Sequence, residues 1–380
     1  MHVVVAPDKF KGTLTASEVA ARVTAGIAAV APGVPVREVP VADGGDGTVD
    51  AALAAGFTRV PVRAEGPVGT PVDTAFAERD GVAVVEMADV SGLRLLPRDG
   101  LAALRASSYG TGEVVAAALE QGCHTVLLGI GGSASTDGGA GMLAALGARL
   151  LDADGAELTR GGAALAGLAR LELSGLHPKL AAAKVIVASD VDNPLLGPNG
   201  AAAIYGPQKG AEPDDVVTLD AALAHWADLL DAATGTAMRD RPGAGAAGGV
   251  GYGALAALGA ELKPGIDLVL ELVEFAEALP GARLVVTGEG SLDEQTLAGK
   301  APAGVAAAAV AAGIPVVTVS GRLALAAEQL RAAGIRQAYA LTDIEPDLAR
   351  CLAEPGPLLE RLARKLAEDW LSESTVEDEK

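Results

Sequence analysis

The sequence is poor in the residues that most often carry metal-binding or nucleophilic chemistry. Among 380 residues there are two cysteines, Cys123 and Cys351, which lie far apart and form no C-x-x-C pair. This pattern disfavours a zinc site or a disulfide framework and is typical of buried thiols in a reducing cytoplasm. No triad spacing connects the four histidines, which we interpret as structural: His2, His124, His177 and His225.

Several sequence motifs are also missing. No GxxxxGK[ST] P-loop occurs, and GGSA at residues 131–134 does not fit the G-x-S-x-G pattern of serine hydrolases. The long uncharged stretch 301–321 is divided by Pro315, which predicts a helix and a buried strand rather than a membrane span. The first residues lack a basic segment before the apolar run, so we expect no secretory signal and a cytoplasmic protein that does not enter membranes.

Positive charge is scarce. The formal net charge of −20 would repel a phosphate backbone, so we expect no nucleic acid partner. Any anionic metabolite must then be attracted by a few local cations, by helix N-termini or by a bound metal ion. The chain has only nine lysines against 20 arginines, and four of the nine lie in glycine-rich or polar loops: Lys9, Lys11, Lys209 and Lys300. A compact ammonium suits a single phosphate oxygen, although a solvated surface lysine is the alternative for each.

The two ends of the chain alternate between strand and helix patterns. Residues 2–6 and 35–41 are predicted strands, and between them lies a predicted helix over 16–30, with a capping box made by Thr15 and Glu18. A further helix begins near Thr48. After residue 282 the predicted order is strand 283–287, helix 303–312, strand 315–319, helix 323–333 and strand 337–341. Such alternation indicates a parallel sheet covered by helices.

The middle of the chain follows a different pattern. Asp80-Gly81 and Asp154-Gly155 each separate two apolar runs, which predicts hairpins and therefore antiparallel strands. We predict an α/β fold with two domains. Residues 1–65 and 282–371 form a Rossmann-like or flavodoxin-like parallel-sheet domain from both chain ends, residues 66–281 form an inserted mixed α+β domain, and residues 372–380 form a disordered tail.

A glycine-rich loop follows the apolar run at residues 125–128. It reads GIGGSASTDGGAG from Gly129 to Gly141, and its first residues fit the relaxed dinucleotide fingerprint. That fingerprint requires a helix to begin within the glycines, whereas the helical pattern here begins near Gly141, so we reject it. The backbone N–H groups, the serine hydroxyls and Asp137 ahead of a helix are suited to binding phosphate. A glycine turn at the end of a buried strand is the alternative.

Acidic residues follow other predicted strands in the same way. Asp43 and Asp46 lie in ADGGDG after the second strand, Glu289 and Asp293 follow the strand 283–287, and Asp190 follows the apolar run 185–188. Ligands of open parallel sheets bind beyond the carboxyl ends of the strands, where such loops meet. A carboxylate there could bind magnesium or accept a proton from a hydroxyl. An Asp-Asn-Pro turn explains residues 192–194 equally well.

Seven stretches in this order resemble the bacterial glycerate kinase type 1 family (glycerate 2-kinases). They are APDKFKGTLTASEVA, ADGGDGT, GIGGSASTDGGAG, ASDVDNPLLGPNGAA, GPQKGA, GAAGGVGYG and TGEGSLDEQTLAGKAP, and they span residues 6–302. The resemblance implies transfer of a phosphoryl group from ATP, with magnesium, to D-glycerate, most often at the 2-hydroxyl. It also implies two α/β domains, one of them built from both chain ends, with the site in the cleft.

The resemblance supports the loop residues as a set and does not assign their roles, which we state as hypotheses. Asp190 is the candidate base, and the other catalytic candidates, which neutralise phosphate or carboxylate, are Lys9 and Lys11. The candidates for binding ATP are Gly131, Gly132, Ser133, Asp137, Gly138, Gly139, Lys209 and Lys300. The candidates for binding the acceptor are Asp43, Gly44, Gly45 and Asn193. The candidate magnesium ligands are Asp46, Glu289 and Asp293.

Other functions stay open from the sequence. The loops indicate phosphate binding more clearly than a carboxylate pocket, so a kinase for another small hydroxy acid or polyol is the first alternative. A nonenzymatic nucleotide-binding or sensing protein is the second, and a nicotinamide oxidoreductase is the last. Whether the chain forms a homo-oligomer is not decided by the sequence.

Overall fold

The computed structural model describes residues 1–97, 99–297 and 299–372. The predicted tail lies, from residue 373 onward, outside these described residues. The contacts divide the chain into two compact units. The first unit contains residues 1–43, 50–55 and the described residues from 266 onward, and the second contains residues 44–49 and 56–265.

Strands and helices alternate along most of the chain. The strands are β1 (His2–Pro7), β2 (Val36–Glu38), β3 (Thr58–Glu65), β4 (Pro71–Arg79), β5 (Val82–Glu86), β6 (Thr125–Gly129), β7 (Arg149–Leu151), β8 (Arg170–Glu172), β9 (Lys184–Ala188), β10 (Glu261–Lys263), β11 (Ala282–Leu292), β12 (Val316–Leu323) and β13 (Ile335–Ala340). The helices are α1 (Ala16–Val30), α2 (Thr48–Ala54), α3 (Ala88–Ser91), α4 (Tyr109–Gln121), α5 (Ala140–Ala145), α6 (Ala201–Tyr205), α7 (Pro213–Thr234), α8 (Ala246–Leu258), α9 (Gly265–Leu272), α10 (Phe275–Ala278), α11 (Glu294–Leu297), α12 (Ala301–Ala311), α13 (Ala327–Ala332), α14 (Leu348–Ala353) and α15 (Pro355–Leu371).

The first unit is built on a five-stranded sheet in the order β13-β12-β11-β1-β2, and every pairing in it is parallel. Both faces are covered, as a parallel sheet requires. On one face α1 and α15 pack together with the sheet, through Val19, Val23 and Leu362 among others. On the other face α9 and α12 contribute Val269 and Val305. The predicted capping box is present, since Thr15 and Glu18 exchange hydrogen bonds at the start of α1.

The second unit contains a six-stranded mixed sheet in the order β10-β9-β6-β5-β4-β3. Strands β10, β9, β6 and β5 are parallel, and β4 and β3 are antiparallel. The hairpin predicted at Asp80-Gly81 is confirmed between β4 and β5, with positive φ at both residues. The α/β fold class with a parallel sheet is therefore confirmed.

The second predicted hairpin is shorter than expected. The turn at Asp154-Gly155 brings Leu158 back so that its N–H donates to the carbonyl of Leu150, but Leu151 and Glu157 form only an isolated bridge. The partner of β7 is instead β8, which follows later in the chain. A turn motif predicts the reversal of the chain, whereas the strand partner depends on residues outside the motif.

Strand β11 is longer than the predicted strand 283–287. Residues 289–292 continue to pair with residues 320–323 of β12, so that Glu289 lies on a strand rather than in a loop. Helix α13 accordingly begins at Ala327, later than the predicted residue 323. The unit boundaries also lie elsewhere than residues 65/66 and 281/282, because β3 pairs within the second sheet and α9 and α10 pack in the core of the first unit.

None of the described helices is both long and apolar enough to cross a membrane.

Candidate active site

Four loops of the second unit meet at one edge of its sheet. Strands β5, β6 and β9 are parallel, so the residues that follow Glu86, Gly129 and Ala188 leave the sheet on the same side. Residues 44–47 pack against these strand ends: a Cβ on Gly129 would lie 2.6 Å from the carbonyl oxygen of Gly44, and a Cβ on Gly131 would lie 2.9 Å from Cα of Gly45. Glycine at these positions therefore allows two backbones to touch.

The glycine loop, residues 129–139, is fixed on both sides by hydrogen bonds. The N–H of Leu93 donates to the carbonyl of Gly132, and the N–H of Ala134 donates to the carbonyl of Ser91. Gly132 has a φ of +72° and is exposed, whereas Ser133 is buried. The backbone at Gly132, which is exposed, and at Gly131, which is half-buried, is thus the part of the loop that a ligand can reach.

Lys209 lies beneath this loop rather than on the surface. Its side chain is 1% exposed, and Nζ donates to Ser133 Oγ at 2.8 Å and to the carbonyl of Ser135 at 2.5 Å. Burial lowers the pKa of Lys209 to about 7, and the carboxylate of Asp137 offsets part of that effect. The ammonium predicted to bind a phosphate oxygen therefore supports the glycine loop from the interior of the protein.

Asp137 is also buried, and it organises the end of the loop. Its Oδ2 accepts hydrogen bonds from the N–H of Ser108 at 2.8 Å and from the Ser107 and Ser108 hydroxyls at 3.2 and 3.0 Å. The N–H groups of Gly139 and Gly141 donate to the same carboxylate at 3.3 Å. Five donors thus satisfy the oxygens of this buried carboxylate. These contacts are with the protein itself, so contact of Asp137 with a nucleotide stays a prediction.

Gly138 and Gly139 have positive φ values of +63° and +77° and are buried next to α7 and α8. A Cβ on Gly138 would lie 2.5 Å from the ring of Trp226, whose Nε1–H donates to the carbonyl of Gly138. These two predicted nucleotide contacts thus lie inside the unit, where they allow close packing.

Asp190 and Asn193 follow β9 at the same edge. Asp190 is exposed, and its Oδ1 accepts from the N–H of Gly265 at 2.8 Å. The side chain of Asn193 donates to the carbonyl of Asn199 at 2.8 Å and accepts from the hydroxyl of Tyr205 at 2.6 Å. Asn193 therefore stabilises its own loop, as the turn interpretation requires, whereas the Asp190 carboxylate is exposed and bonded to Gly265, which itself packs against Gly44.

Asp46 belongs to a group of three carboxylates. One oxygen each of Asp46, Glu86 and Asp89 lies within 4.8 Å of the others. The guanidinium of Arg94 donates to Asp46 at 3.2 Å and forms a second ion pair with Asp89. We refer to Asp46, Glu86 and Asp89 as the acidic cluster. Carboxylate oxygens at such spacing are suitable ligands for magnesium, and in the structure Arg94 provides the positive charge.

Glu86 is the buried member of the acidic cluster and accepts hydrogen bonds from the N–H groups of Gly47 and Val49 at 3.0 and 3.3 Å. Burial and, less strongly, the negative charges of Asp89 and Asp46 raise its pKa to about 8, and the two N–H donors oppose this. A cation bound at the acidic cluster would favour the ionised form of Glu86. The three carboxylates are therefore a suitable set of ligands for a divalent cation.

In the first unit, charged residues gather where β1 and β11 end. Asp8 is buried directly after β1, and its carboxylate lies 3.7 Å from Nζ of Lys9. Burial raises the pKa of Asp8 to about 7; the charge and the N–H of Lys9 oppose this, while Asp43 and Glu289 reinforce it. Lys11 lies in the following turn and is exposed.

Glu289 is the buried acid of β11. It accepts from the Thr296 hydroxyl at 2.5 Å, and Nζ of Lys300 lies 3.9 Å away. Burial raises its pKa, and Thr296 and Lys300 counteract that effect. The carboxylate of Asp293 accepts from the N–H of Gln295 at 3.0 Å. The predicted residues Lys9, Asp43, Glu289, Asp293 and Lys300 thus lie in one electrostatic neighbourhood of the first unit.

The sequence analysis missed four charged residues: Asp8, Glu86, Asp89 and Arg94. Asp8 and Glu86 carry the same signal that selected Asp190, an acid at the carboxyl end of an apolar run. The sequence analysis selected the glycine loop and the lysines in PDKFKG and passed over these two acids. Nothing in the sequence marks Arg94, because its position beside Asp46 depends on how separate loops pack.

The chain is similar to known proteins over most of its length. A family profile described as the glycerate kinase family matches residues 3–371 of the chain. A glycerate kinase of Bacillus subtilis (strain 168) is 45% identical over 370 residues, which is 97% of each chain. A glycerate 2-kinase of Escherichia coli (strain K12) is 45% identical over 328 residues, 85% of this chain and 86% of its own.

A solved structure agrees with the sequence relatives. A crystal structure from Salmonella typhimurium LT2 that carries the name glycerate kinase 2 superposes with a TM-score of 0.85 at 39% identity. The match covers 97% of this chain and 98% of the other.

Proposed function

Because the chain belongs to the glycerate kinase family, we propose that it transfers the γ-phosphoryl group of ATP to the 2-hydroxyl of D-glycerate, giving 2-phosphoglycerate and ADP. The observation that carries the proposal is the glycine loop. Its backbone is accessible at Gly131 and Gly132, and the buried Lys209 fixes it by donating hydrogen bonds to Ser133 and Ser135. Phosphoryl transfer depends mainly on positioning and on charge compensation, so a rigid loop of N–H donors is the part such an enzyme needs.

The nucleotide phosphates bind at Gly131, Gly132 and Ser133. Their N–H groups and the Ser133 hydroxyl are the donors, while Lys209 and Asp137 keep the loop in place. Lys209 already donates to Ser133 and Ser135. It therefore acts on the nucleotide through the loop and does not touch it.

Magnesium is bound by the acidic cluster. Asp46, Glu86 and Asp89 would supply its carboxylate ligands, and the ion would provide positive charge where Arg94 now pairs with Asp46 and Asp89. A bound magnesium ion compensates charge on the phosphate oxygens. In the first unit, Glu289 and Asp293 remain the other predicted acidic ligands, and Lys9, Lys11 and Lys300 supply positive charge for the transferred phosphoryl group or the acceptor carboxylate.

Asp190 is the base in this proposal. Its exposed carboxylate lies beyond β9 at the edge where the glycine loop begins. There it can accept the proton of the acceptor hydroxyl as the bond to phosphorus forms. Asp43, Gly44 and Gly45 border the acceptor, and Gly44 leaves no room for a side chain beside Ala188 and Gly265.

The proposed function is tested by coupled ADP detection with a panel of acceptors. D-glycerate, L-glycerate, other short hydroxy acids and glycerol are offered with ATP and magnesium, and with EDTA as the metal-free control. We expect D-glycerate to give the highest kcat/KM and EDTA to abolish turnover. Phosphorus NMR of the product should show 2-phosphoglycerate. No preference for D-glycerate, or ATP binding without turnover, would contradict the proposal.

The base assignment is tested by Asp190→Asn. We expect turnover to fall by about two to four orders of magnitude, the usual contribution of a general base, with an unchanged circular dichroism spectrum. Asp8→Asn is measured in parallel, because the pKa of Asp8 is about 7, which would suit a general base. Near-normal turnover of Asp190→Asn would remove Asp190 from the chemistry, and a large loss in Asp8→Asn alone would move the role of base to Asp8.

A further inference from the structure

A cavity of about 170 Å³ lies within the second unit, apart from every residue that the sequence selected. It is lined by the turn Gly66–Gly69 together with Arg105, Ser107, Tyr109 and Arg160. The turn joins β3 to β4, and the first residues of β4 run past the carboxyl end of β5. The cavity therefore opens at the sheet edge that also carries the glycine loop.

Arg160 enters the cavity in a fixed position. It forms an ion pair with Glu65, and its guanidinium carbon lies 3.3 Å from the centre of the Tyr109 ring. Stacking on an aromatic ring and pairing with a carboxylate both restrict a guanidinium group. Its remaining N–H donors are therefore presented in one direction.

Arg105 brings a second guanidinium, and its charge is not neutralised. The side chain is exposed, and within the described part of the chain it forms no ion pair. Gly161, next to Arg160, has a φ of +105° and packs on the backbone of Arg105, where a Cβ would lie 2.6 Å from Cα of Arg105. This contact keeps the two arginines adjacent. Arg105 and Arg160 are the charged residues among those that line the cavity. The nearby carboxylates accept from protein donors: Glu65 from Arg160, Glu113 from the N–H of Glu65, and Asp137 from Ser107.

The floor of the cavity is connected to the glycine loop. The Ser107 hydroxyl donates to Asp137 at 3.2 Å, and the N–H of Tyr109, the first residue of α4, donates to Ser107 at 3.2 Å. At the start of the 13-residue helix α4 the N–H groups are already bonded within the protein, since that of Ser108 donates to Asp137 and that of Tyr109 to Ser107.

We propose that this cavity is a binding site for a small organic anion, whose carboxylate or phosphate group is bound by Arg105 and Arg160. Guanidinium forks match these planar or tetrahedral oxygens with paired hydrogen bonds. The carbon chain of the ligand lies against Pro67, Val68 and the Tyr109 ring. The volume equals that of roughly six water molecules at about 30 Å³ each, which is enough for one small anion.

The test is direct binding to the full-length protein by calorimetry, with inorganic phosphate and D-glycerate as probes. A non-hydrolysable ATP analogue is present at saturation, so that the glycine loop is occupied. Arg105→Gln is the main variant, because Arg105 has no ion pair in the described structure to lose. The matched control is Arg59→Gln, an exposed arginine of β3 in the same unit that does not line the cavity.

We expect the wild type to bind at least one probe and Arg105→Gln to weaken that binding at least tenfold, with Arg59→Gln within twofold of wild type. Absence of binding, or equal affinity in wild type and Arg105→Gln, would overturn the proposal. Arg160→Gln should weaken binding as well, and a thermal melt checks that it is folded, since that substitution also removes the ion pair with Glu65.

The two probes separate the sources of the anion. If D-glycerate displaces phosphate and the KM for D-glycerate rises in Arg105→Gln, the cavity takes the carboxylate of the acceptor. If Arg105→Gln weakens phosphate binding and leaves D-glycerate binding unchanged, the ligand is a different phosphorylated or inorganic anion. Binding is measured without turnover, so a wild type that fails to phosphorylate glycerate would contradict the proposed function and leave this result standing.

Discussion

At the scale of single residues, the conformation of the glycine loop depends on two buried charged side chains, Lys209 and Asp137. Lys209 donates to Ser133 and Ser135, and Asp137 accepts from Ser107, Ser108 and the glycines that follow it. An unpaired buried charge would cost several kcal/mol, so each of these groups stabilises the fold only while its partners are present. The loop conformation that exposes Gly131 and Gly132 is therefore coupled to stability.

Lys209 should make stability depend on pH. Its pKa is about 7 in the folded protein and 10.5 when solvated, so between these values the unfolded chain holds a proton that the folded chain has released. Stability then rises with pH from about 7 to 10, by at most about 1.4 kcal/mol per pH unit from this group. Urea unfolding across this range should show the rise in wild type and its loss in Lys209→Met.

Lys365→Met is the control for that experiment, since Lys365 is exposed on α15. It should keep the wild-type pH dependence. An identical slope in wild type and Lys209→Met would mean that Lys209 stays protonated inside the protein, with Asp137 as a stronger partner than the structure indicates.

Asp137→Ala tests the second of the two charges. It leaves three backbone N–H groups and two hydroxyls without their acceptor, and we expect a loss of about 2–4 kcal/mol in the free energy of unfolding. The KM for ATP should rise as the loop loosens. Asp154→Ala, in an exposed turn, should change neither quantity. If Asp137→Ala unfolds at the wild-type urea concentration, the loop is held by other contacts.

At the scale of elements, the site depends on two loops whose backbones touch. Gly129→Ala would place a methyl group 2.6 Å from the carbonyl oxygen of Gly44 and force the glycine loop away from the ADGGDG segment. We expect the free energy of unfolding to fall by about 1–3 kcal/mol. Turnover should fall by more than the loss of folded protein explains. Unfolding curves and steady-state kinetics of the same preparations measure both.

Gly33→Ala provides the matched control, because a Cβ there meets no atom within 4 Å and its φ is not positive. It should be neutral or slightly stabilising, since alanine reduces the freedom of the unfolded chain. Wild-type turnover in Gly129→Ala would show that the two loops can separate without effect on the reaction.

The same scale separates what the sequence could predict from what it could not. Hydrophobic periodicity and the capping box at Thr15 predicted α1 at its observed bounds, and Asp80-Gly81 predicted the hairpin of β4 and β5, because these signals are local. The extension of β11 to Leu292 was missed, since GEGS has no strand propensity and is extended only by pairing with β12. The acidic cluster was missed for a related reason: Asp46 meets Glu86 through loop packing between distant segments.

Lys209 shows the limit most clearly. A lysine in a polar segment is expected at the surface, and its burial under the glycine loop depends on acceptors 76 and 74 residues earlier in the chain. The sequence selected Lys209 as a candidate for binding ATP, which stays a prediction, while its hydrogen-bond partners required coordinates.

At the scale of the whole molecule, the two units differ in how far apart in the sequence their paired strands lie. In the second unit, β5 and β6 pair at Val82 and Thr125, whereas in the first unit β1 pairs with β11 at His2 and Ala282. Closing the larger loop costs more entropy before any contact is gained. In refolding from urea, pulsed hydrogen exchange should protect the amides of β5 and β6 before those of β1 and β11. Simultaneous protection in both sheets would contradict this order.

The discontinuous first unit also has a consequence during translation. Strand β1 and helix α1 are made first, but β11 and α15, which cover them, are made last. At roughly 5–20 residues per second, the 280 residues between His2 and Ala282 require about 15–55 s of synthesis. For that time the segment HVVVAP can pair with β2 on one edge, while its other edge stays open until β11 is made. That open edge is where a chaperone would protect the growing chain.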